Sequence, residues 1–429
     1  MRLLFIIFLL LNSNVYSKDI NLKGLRYYDF NSGEFSENSN ILISKDLIKS
    51  ITKNRTDGVS FYALPTFCDL GVTLGTDSLG GANTSAGIFL ALNSFLYHGF
   101  SHIYSINNPP YLPKLISSKK INFPYVKYSQ KAIIYSTNEY SSLPEELYIT
   151  VKNEEEAVKQ IQEQMKMNTP IIYILNRYNE GSGYYFDSEF FRKINKINYK
   201  SVIFTSSFAD KTGNIDSIRA GMTYIQHPLS IDISKTISNE ILEKINYIPE
   251  LNVYKNLYIE SDKYEIINEN EYLANISKYY KKYYYTEVQE KINSSNYDFE
   301  KYEKIKKEYI SYTEFLKKNK YLINNIIVSG GSGNKYSFPG VSAIREFIIL
   351  NEILNNPYSL IRALTKNSCS LFVDNYKGVI QEGEKANLLL YKENPLRSDI
   401  GLINFEKMYI DGEIISKEEI KEKDFKKLK

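Results

Sequence analysis

Short stretches of partial apolar and polar alternation open the chain, Leu22 to Phe30 and Ile41 to Ile51, separated by the turn-forming residues Asn31-Ser32-Gly33 and Glu37-Asn38-Ser39-Asn40. The same texture returns in Ala386 to Tyr391 and Met408 to Ile415, where Asp411-Gly412 is a hairpin signal. Two strand-rich ends around a long middle predict one small sheet domain built from both termini. The middle alternates short apolar runs with helical ones. Candidate strands are Ala63 to Leu70, His102 to Ser105, Ala132 to Tyr135, Ile171 to Leu175, Ser201 to Thr205, Tyr224 to His227, Asn252 to Leu257 and Asn325 to Ser329. Helices are clearest at Ser85 to Tyr97, Asn153 to Met167, Asp187 to Lys196, Ile237 to Lys244 and Val341 to Asn351, with a capping pattern at Asn153 and Glu156. One strand per repeating unit predicts an α/β fold with a (β/α)8 TIM-like barrel.

The segment at about 262–320 exceeds what a barrel needs. It holds the Tyr/Lys-rich runs Tyr279 to Tyr285 and Tyr302 to Tyr309, and Tyr302, Ile305, Tyr309, Tyr312, Phe315 and Leu316 form an apolar helical stripe beside a charged face. A helix pair covering the barrel flank is the reading taken. A Tyr-rich face that docks on another protein, or on a second copy, is the alternative.

At the other extreme of the chain, Arg2, the apolar run Leu3 to Leu11 and Val15-Tyr16-Ser17 read as a secretory signal peptide over residues 1–17, cleaved after Ser17. The run is shorter than the roughly 20 residues that span a bilayer, and no later segment is long enough. The expectation is a periplasmic or secreted protein with no integral membrane span. Charge adds one exclusion. Lys plus Arg is 53 against 50 for Asp plus Glu in 429 residues, too even a balance for a general nucleic-acid surface. Tyr is abundant, 38 residues, but spread along the chain. Cys68 and Cys369 each lie in a largely apolar run and read as two buried free thiols, with a single bridge between them as the alternative.

Pro65-Thr66-Phe67-Cys68-Asp69 resembles the start of the first barrel strand in the amidohydrolase superfamily, particularly its imidazolonepropionase-like and Xaa-Pro dipeptidase-like members. The C-terminal run resembles that family more strongly: Gly340 to Glu346, Asn356 to Asn367, Gly378 to Tyr391, Asn394-Pro395-Leu396 and Asp411-Gly412. The resemblance covers nearly the whole chain beyond the leader. It implies a barrel domain over 63–377 and a small composite β-sandwich from 18–62 and 378–429.

The family's chemistry is metal-assisted hydrolysis, with His and acidic ligands holding one or two ions that activate water. Its paired imidazoles after the first strand fall here on Gly71 and Thr73, and the strand-four ligand falls among Ile172 to Leu175, next to Asn176. The strand-five imidazole falls near Phe204 or Thr205, the metal-binding aspartate after strand eight on Ser332, and only the strand-six imidazole is matched in kind, as His227. A lone imidazole is too little for a centre that ordinarily uses three or four protein groups. The expectation is therefore no metal and no cofactor, no catalytic residues, and a noncatalytic scaffold or assembly subunit with a protein partner. Gly71, Thr73, Asn176, Thr205, His227 and Ser332 remain candidates for a degenerate pocket. A binder of a small polar ligand at that mouth and an atypical amidohydrolase acting on amide or peptide bonds are the alternatives.

Overall fold

A computed structural model of the chain describes residues 19–55, 58–78, 81–117, 123–135, 144–176, 185–197, 202–206, 211–260, 299–334, 336–371, 376–398 and 401–420. The leader at 1–17 and the tyrosine run at 279–285 lie outside the described residues, as do Arg177, Ser207 and Asp210. In chain order the first strands are β1 (Ile20–Asp29), β2 (Glu34–Phe35), β3 (Ser39–Ser44), β4 (Leu47–Lys53), β5 (Phe61–Pro65) and β6 (Phe67–Val72). Helix α1 (Ser85–Tyr97), β7 (Phe100–Ser105), α2 (Leu112–Ser117), β8 (Tyr125–Tyr128), β9 (Ala132–Tyr135) and β10 (Tyr148–Val151) follow. Then come α3 (Glu154–Lys166), β11 (Ile171–Leu175), α4 (Ser188–Asn195), β12 (Val202–Ser206), α5 (Lys211–Arg219), β13 (Tyr224–Gln226), α6 (Asn239–Leu242) and β14 (Asn246–Ile248). The chain closes with α7 (Leu251–Glu260), α8 (Phe299–Lys318), α9 (Val341–Leu354), α10 (Pro357–Leu364), α11 (Lys366–Cys369), β15 (Leu388–Tyr391), β16 (Lys407–Ile410) and β17 (Glu413–Ile415).

The termini do build one sheet. Its order is β17-β16-β15-β5-β1-β3-β4, with β2 on β1, so strands expected to form a sandwich are joined in a single mixed ladder path. Strand β5 is the seam, running parallel to β1 and antiparallel to β15. The β16–β17 hairpin turns at Asp411 and Gly412, both with positive φ, as that turn chemistry requires.

The apolar run at Ala63 to Leu70 serves two sheets rather than one strand. It breaks at Thr66, whose amide bonds Asn387 of the small sheet, while Phe67 turns to the backbone of Gly99. From there β6, β7 and β8 form a three-stranded parallel sheet, and a six-stranded parallel sheet follows in the order β10-β9-β11-β12-β13-β14. The two share a core. Leu70 and Tyr104 from the first meet Ile134, Tyr173, Phe204 and Ile248 from the second in one buried cluster, joined by Ile327. A continuous eight-stranded closed ladder is not seen among the described residues. The structure is a mixed α/β fold with two parallel sheets packed on common side chains.

Two of the expected strands are otherwise. Asn252 to Leu257 lies in helix α7, because the carboxylate of Glu346 accepts the amides of Leu251 and Asn252 and caps that helix. The parallel strand is β14, just upstream. Asn325 to Ser329 contributes a lone bridge from Ile326 to Tyr247 rather than a named strand. Elsewhere the local signals hold: Asn153 accepts the amide of Glu156 at 2.8 Å at the start of α3, and the Glu156 carboxylate accepts that of Lys152.

The two cysteines are not free. Cys68 on β6 and Cys369 on α11 are joined in a disulfide across 301 positions, which corrects the free-thiol expectation. Both apolar runs are buried at the same place, beneath the parallel strands, and no spacing rule in the sequence could put them there.

On α8, Tyr312, Phe315 and Leu316 of the expected stripe are buried and Tyr309 packs against the core, with Tyr312 edge-on to Tyr254 and Phe315 edge-on to Tyr247. The stripe is thus core-facing over its described C-terminal half. Replacing Phe315, 0% exposed, with Ala is expected to cost about 3–5 kcal/mol, and Ile310→Ala on the outer face, 46% exposed, within about 0.5 kcal/mol of nothing. Chemical denaturation of the two variants checks this; equal effects would mean that α8 is not seated by this stripe.

Candidate functional site

The ends of β6, β13 and β14 and the segment after Ile326 converge on one buried carboxylate. Gln226 closes β13, and His227 follows it with a φ of 74°, its amide bonding the carbonyl of Ile248 at 2.9 Å. Glu250 follows β14 with a φ of 49° and leads directly into α7. Left-handed backbone at two non-glycine residues of one site is a local cost that the surrounding packing must hold in place.

Glu250 is 0% exposed. Its Oε1 accepts Gln226 Nε2 at 2.8 Å and Ser329 Oγ at 2.7 Å, and its Oε2 lies 3.2 Å from His227 Nδ1. The His227 ring is edge-on to Tyr254 of α7, 6.0 Å between centroids. Asp69 on β6 is equally buried, accepting the amides of Gly71 at 3.2 Å and Gly330 at 3.4 Å. Ser329 also bonds Asp69, so one hydroxyl stands between the two carboxyls. Burial pushes the Asp69 carboxyl up to about 7; the Gly71 amide opposes this and the charge of Glu250 adds to it. Glu346, under the same helix, is pushed up to about 8 by burial against the pull of the Asn252 and Leu251 amides. Its neighbour Arg345 donates to Asn252 at 3.0 Å and Asn256 at 2.5 Å, so α9 grips α7 through two adjacent side chains.

Gly71 explains how Glu250 fits. A Cβ at that position would stand 2.1 Å from Glu250 Oε1 and 2.1 Å from Ser329 Oγ. No side chain can be placed there while the carboxylate keeps its seat. Thr73 donates its amide to the carbonyl of Ser332 at 2.7 Å, which brings two more of the expected residues together. The Ser332 hydroxyl itself reaches the carbonyl of Phe338 at 3.4 Å. Gly71 and His227 therefore meet at Glu250, and Thr73 and Ser332 meet each other. Asn176 and Thr205 are engaged differently. Both ends of the Asn176 amide bond the backbone of Phe186, at 2.7 and 2.8 Å, and Thr205 Oγ1 reaches the carbonyl of Tyr224 at 3.4 Å. All six residues are buried.

The remaining histidines are held elsewhere. His98 caps α1, with Nδ1 2.7 Å from the carbonyl of Ser94, and burial pushes its pKa down to about 3. His102 stacks between Tyr125 and Tyr376 and bonds Ser101 Oγ at 2.7 Å.

With this geometry in view, the comparisons decide the fold family. No family model matches the sequence, and no curated protein matches it. Solved structures do. A Xaa-Pro dipeptidase with methionine bound in its active site aligns with a TM-score of 0.68 at 16% identity, over 93% of this chain and 100% of that one. The ochratoxinase of A. niger gives 0.68 at 16% over 93% and 96%, and a prolidase-like structure from Bifidobacterium longum 0.67 at 15% over 95% and 99%. The chain resembles the amidohydrolase superfamily in fold.

The residues present do not fit the metal centre that an amidohydrolase-like fold implies. At the position expected for the first imidazole stands a glycine whose side-chain space is taken by Glu250 and Ser329, and Thr73 and Ser332 offer hydroxyls where the resemblance implies imidazole and carboxylate. Among the described residues no cluster of three or more His, Cys, Asp or Glu is placed to hold an ion. Sequence reasoning missed Asp69, Gln226, Glu250 and Ser329. A usable signal was present: Asp69 is the only charged residue in the run Phe61 to Leu74, and Glu250 follows Pro249 at the end of an apolar strand.

Two outcomes follow. Gly71→Ala is expected to destabilise by at least about 1–3 kcal/mol through overpacking, and trimming Glu250 to Ala in the same chain should recover part of that loss. Additive losses in the double variant would show that the two do not compete for space. The second concerns pH. A carboxyl whose folded pKa stands above its unfolded value keeps its proton longer in the folded state, so stability is greatest below the ordinary Asp value of 3.8 and falls as pH rises to about 7. The denaturant midpoint should be lower at pH 8 than at pH 5. Asp69→Asn should narrow that gap, and an unchanged gap would remove Asp69 as its source.

Proposed function

We propose that the chain is a noncatalytic, amidohydrolase-like exported protein that acts as a scaffold or assembly subunit. The observation that carries the reading is the mutual fit of Gly71 and Glu250: at the place expected for a metal-binding imidazole, the space is taken by the protein's own carboxylate, held by Gln226 and Ser329 with His227 Nδ1 3.2 Å away. An interior site occupied by a carboxylate that Gln226 and Ser329 hold leaves less room there for a metal ion and its water. The two parallel sheets are, on this reading, arcs of one (β/α)8 TIM-like wall. The shared core cluster, the Tyr247–Ile326 bridge and the return of Ser332 to Thr73 support it. Export rests on the leader at 1–17, and among the described residues no helix is long and apolar enough to cross a membrane. The segment 262–320 is the region proposed to carry the partner contact.

One observation favours a second reading, an atypical amidohydrolase working without the family's metal. Asp69 and Glu250 are two fully buried carboxyls of one network, with Ser329 donating to Glu250 and burial holding the Asp69 proton, so an acid group stands beside a second carboxyl. The same experiment separates the two. The protein, purified without chelator and challenged with zinc, manganese and iron, is expected to hold well under one ion per chain by elemental mass spectrometry, and to turn over no dipeptide, lactam or ester with or without metal. About one or two tightly held ions per chain would overturn the metal-loss argument. Metal-free turnover abolished by Glu250→Gln would install the second reading. For the scaffold role, native mass measurement and repeated pull-downs should show a defined assembly; a monomer with no reproducible partner would end it.

A further inference from the structure

The disulfide sits where no reagent in solution reaches it. Cys68 and Cys369 are both 0% exposed and belong to the cluster that fills the parallel sheets, packed with Leu70, Ala132 and Ile171. Tyr376 seals the same floor, its hydroxyl bonding the carbonyl of Thr66 at 2.9 Å and the Thr66 hydroxyl at 2.8 Å. Gly378 closes in behind, where an added Cβ would meet the Cys369 Cβ at 2.9 Å. Thiol–disulfide exchange needs a thiolate to approach a sulfur directly, and both cysteines are fully buried among the described residues. The bond also joins the first parallel strand to the last helix before the small sheet resumes, 301 positions away, so the thiols meet only late in the chain's synthesis. The sequence holds two cysteines and no more, leaving a single pairing.

We propose that Cys68 and Cys369 are the substrate of a disulfide-donating oxidant that acts on the chain before the floor beneath the parallel strands packs, and that the folded protein then locks the bond. The step balances as an exchange. The thiolate of one cysteine attacks the oxidant's disulfide, releasing one oxidant thiol and forming a mixed disulfide. The second cysteine thiolate displaces the remaining oxidant thiol, so that the protein dithiol is oxidised, the donor disulfide is reduced to two thiols, and both protein protons pass to the departing thiolates. With one pairing open, no isomerase is required. This goes beyond the scaffold reading and does not depend on it: it fixes the order of covalent and folding steps whatever the folded chain binds.

The test uses the full exported chain and a small dithiol reductant, followed by thiol alkylation and mass analysis. In native buffer the bond should be reduced roughly 100-fold more slowly than in denaturant, because only global or floor-opening fluctuations expose it. The reduced, unfolded chain diluted into glutathione disulfide should regain the bond and the native denaturation midpoint. The reduced chain allowed to fold first, without oxidant, should either fail to reach the native state or form the bond roughly 100-fold more slowly once oxidant is added. Reduction at equal rates in native buffer and denaturant, or oxidation of the prefolded reduced chain as fast as the unfolded one, would overturn the proposal.

Discussion

A carboxylate with no exposure needs donors, and Glu250 has them in an arrangement on which the mouth of the parallel sheets depends. Gln226 reaches it from the end of β13, Ser329 from the segment after Ile326, and His227 from a left-handed residue that only this packing holds. Gln226 and His227 come from the end of β13 and Ser329 from a separate segment. Losing the carboxylate would leave the Gln226 amide and the Ser329 hydroxyl without this acceptor, at a cost of about 1–3 kcal/mol for each, more than a typical hydrogen bond contributes when made. Glu250 therefore acts as a tie between strand ends. The metal in an amidohydrolase centre ties strand ends in a comparable way, by drawing ligands from several of them to one point. In this chain Glu250, with Gln226 and Ser329 as neutral donors, draws the end of β13 and the segment after Ile326 to one point.

The tie has a consequence for charge. Asp69, Glu250 and Glu346 are three fully buried carboxyls within one region, and Arg345 is the buried cation among them, with His227 beside Glu250. Ionising all three at once is costly in a medium of low polarity, so protons are retained: Asp69 and Glu346 both hold theirs more tightly than exposed carboxyls do. The backbone amides of Gly71, Gly330, Leu251 and Asn252 supply the neutral donors that limit the cost. Proton sharing and the left-handed conformations at His227 and Glu250 thus belong to one packing solution.

Much of the architecture was legible from pattern, and the failures have physical causes. Alternation at the two termini and the Asp411-Gly412 turn gave the small sheet; continuous apolar runs bounded by capping residues gave β9, β11, α1 and α3 nearly to the residue. Asn252 to Leu257 was misread because its apolar spacing suits strand or helix equally, and a carboxylate nearly 100 positions away, Glu346, decides for helix. The run Ala63 to Leu70 hides a change of sheet at Thr66, since buried strands of both sheets read as continuously apolar. At the site, absent imidazoles were plain in the sequence, but their replacement was not. Gly71 read as a missing ligand; only three dimensions show it as space reserved for Glu250. Asn176 and Thr205 lie at strand ends as expected, yet local hydrogen bonds to Phe186 and Tyr224 employ their side chains.

The disulfide and the carboxylate tie act on the same strand. Cys68 anchors β6 near its start, while Asp69 and Gly71, one residue and three residues further on, engage the Glu250 network. Strand β6 is also the point where the chain leaves the small sheet at Thr66. A covalent anchor and a buried polar tie on one six-residue strand restrict it more than hydrophobic packing alone would, because both are directional and packing is not. The pairing of β6 with β7 shifts register between Asp69 and Val72, across Gly71, so the ladder is interrupted where the glycine lies. With no side chain at that point, Glu250 and Ser329 occupy the space a Cβ would need, and the polar tie closes directly over the strand.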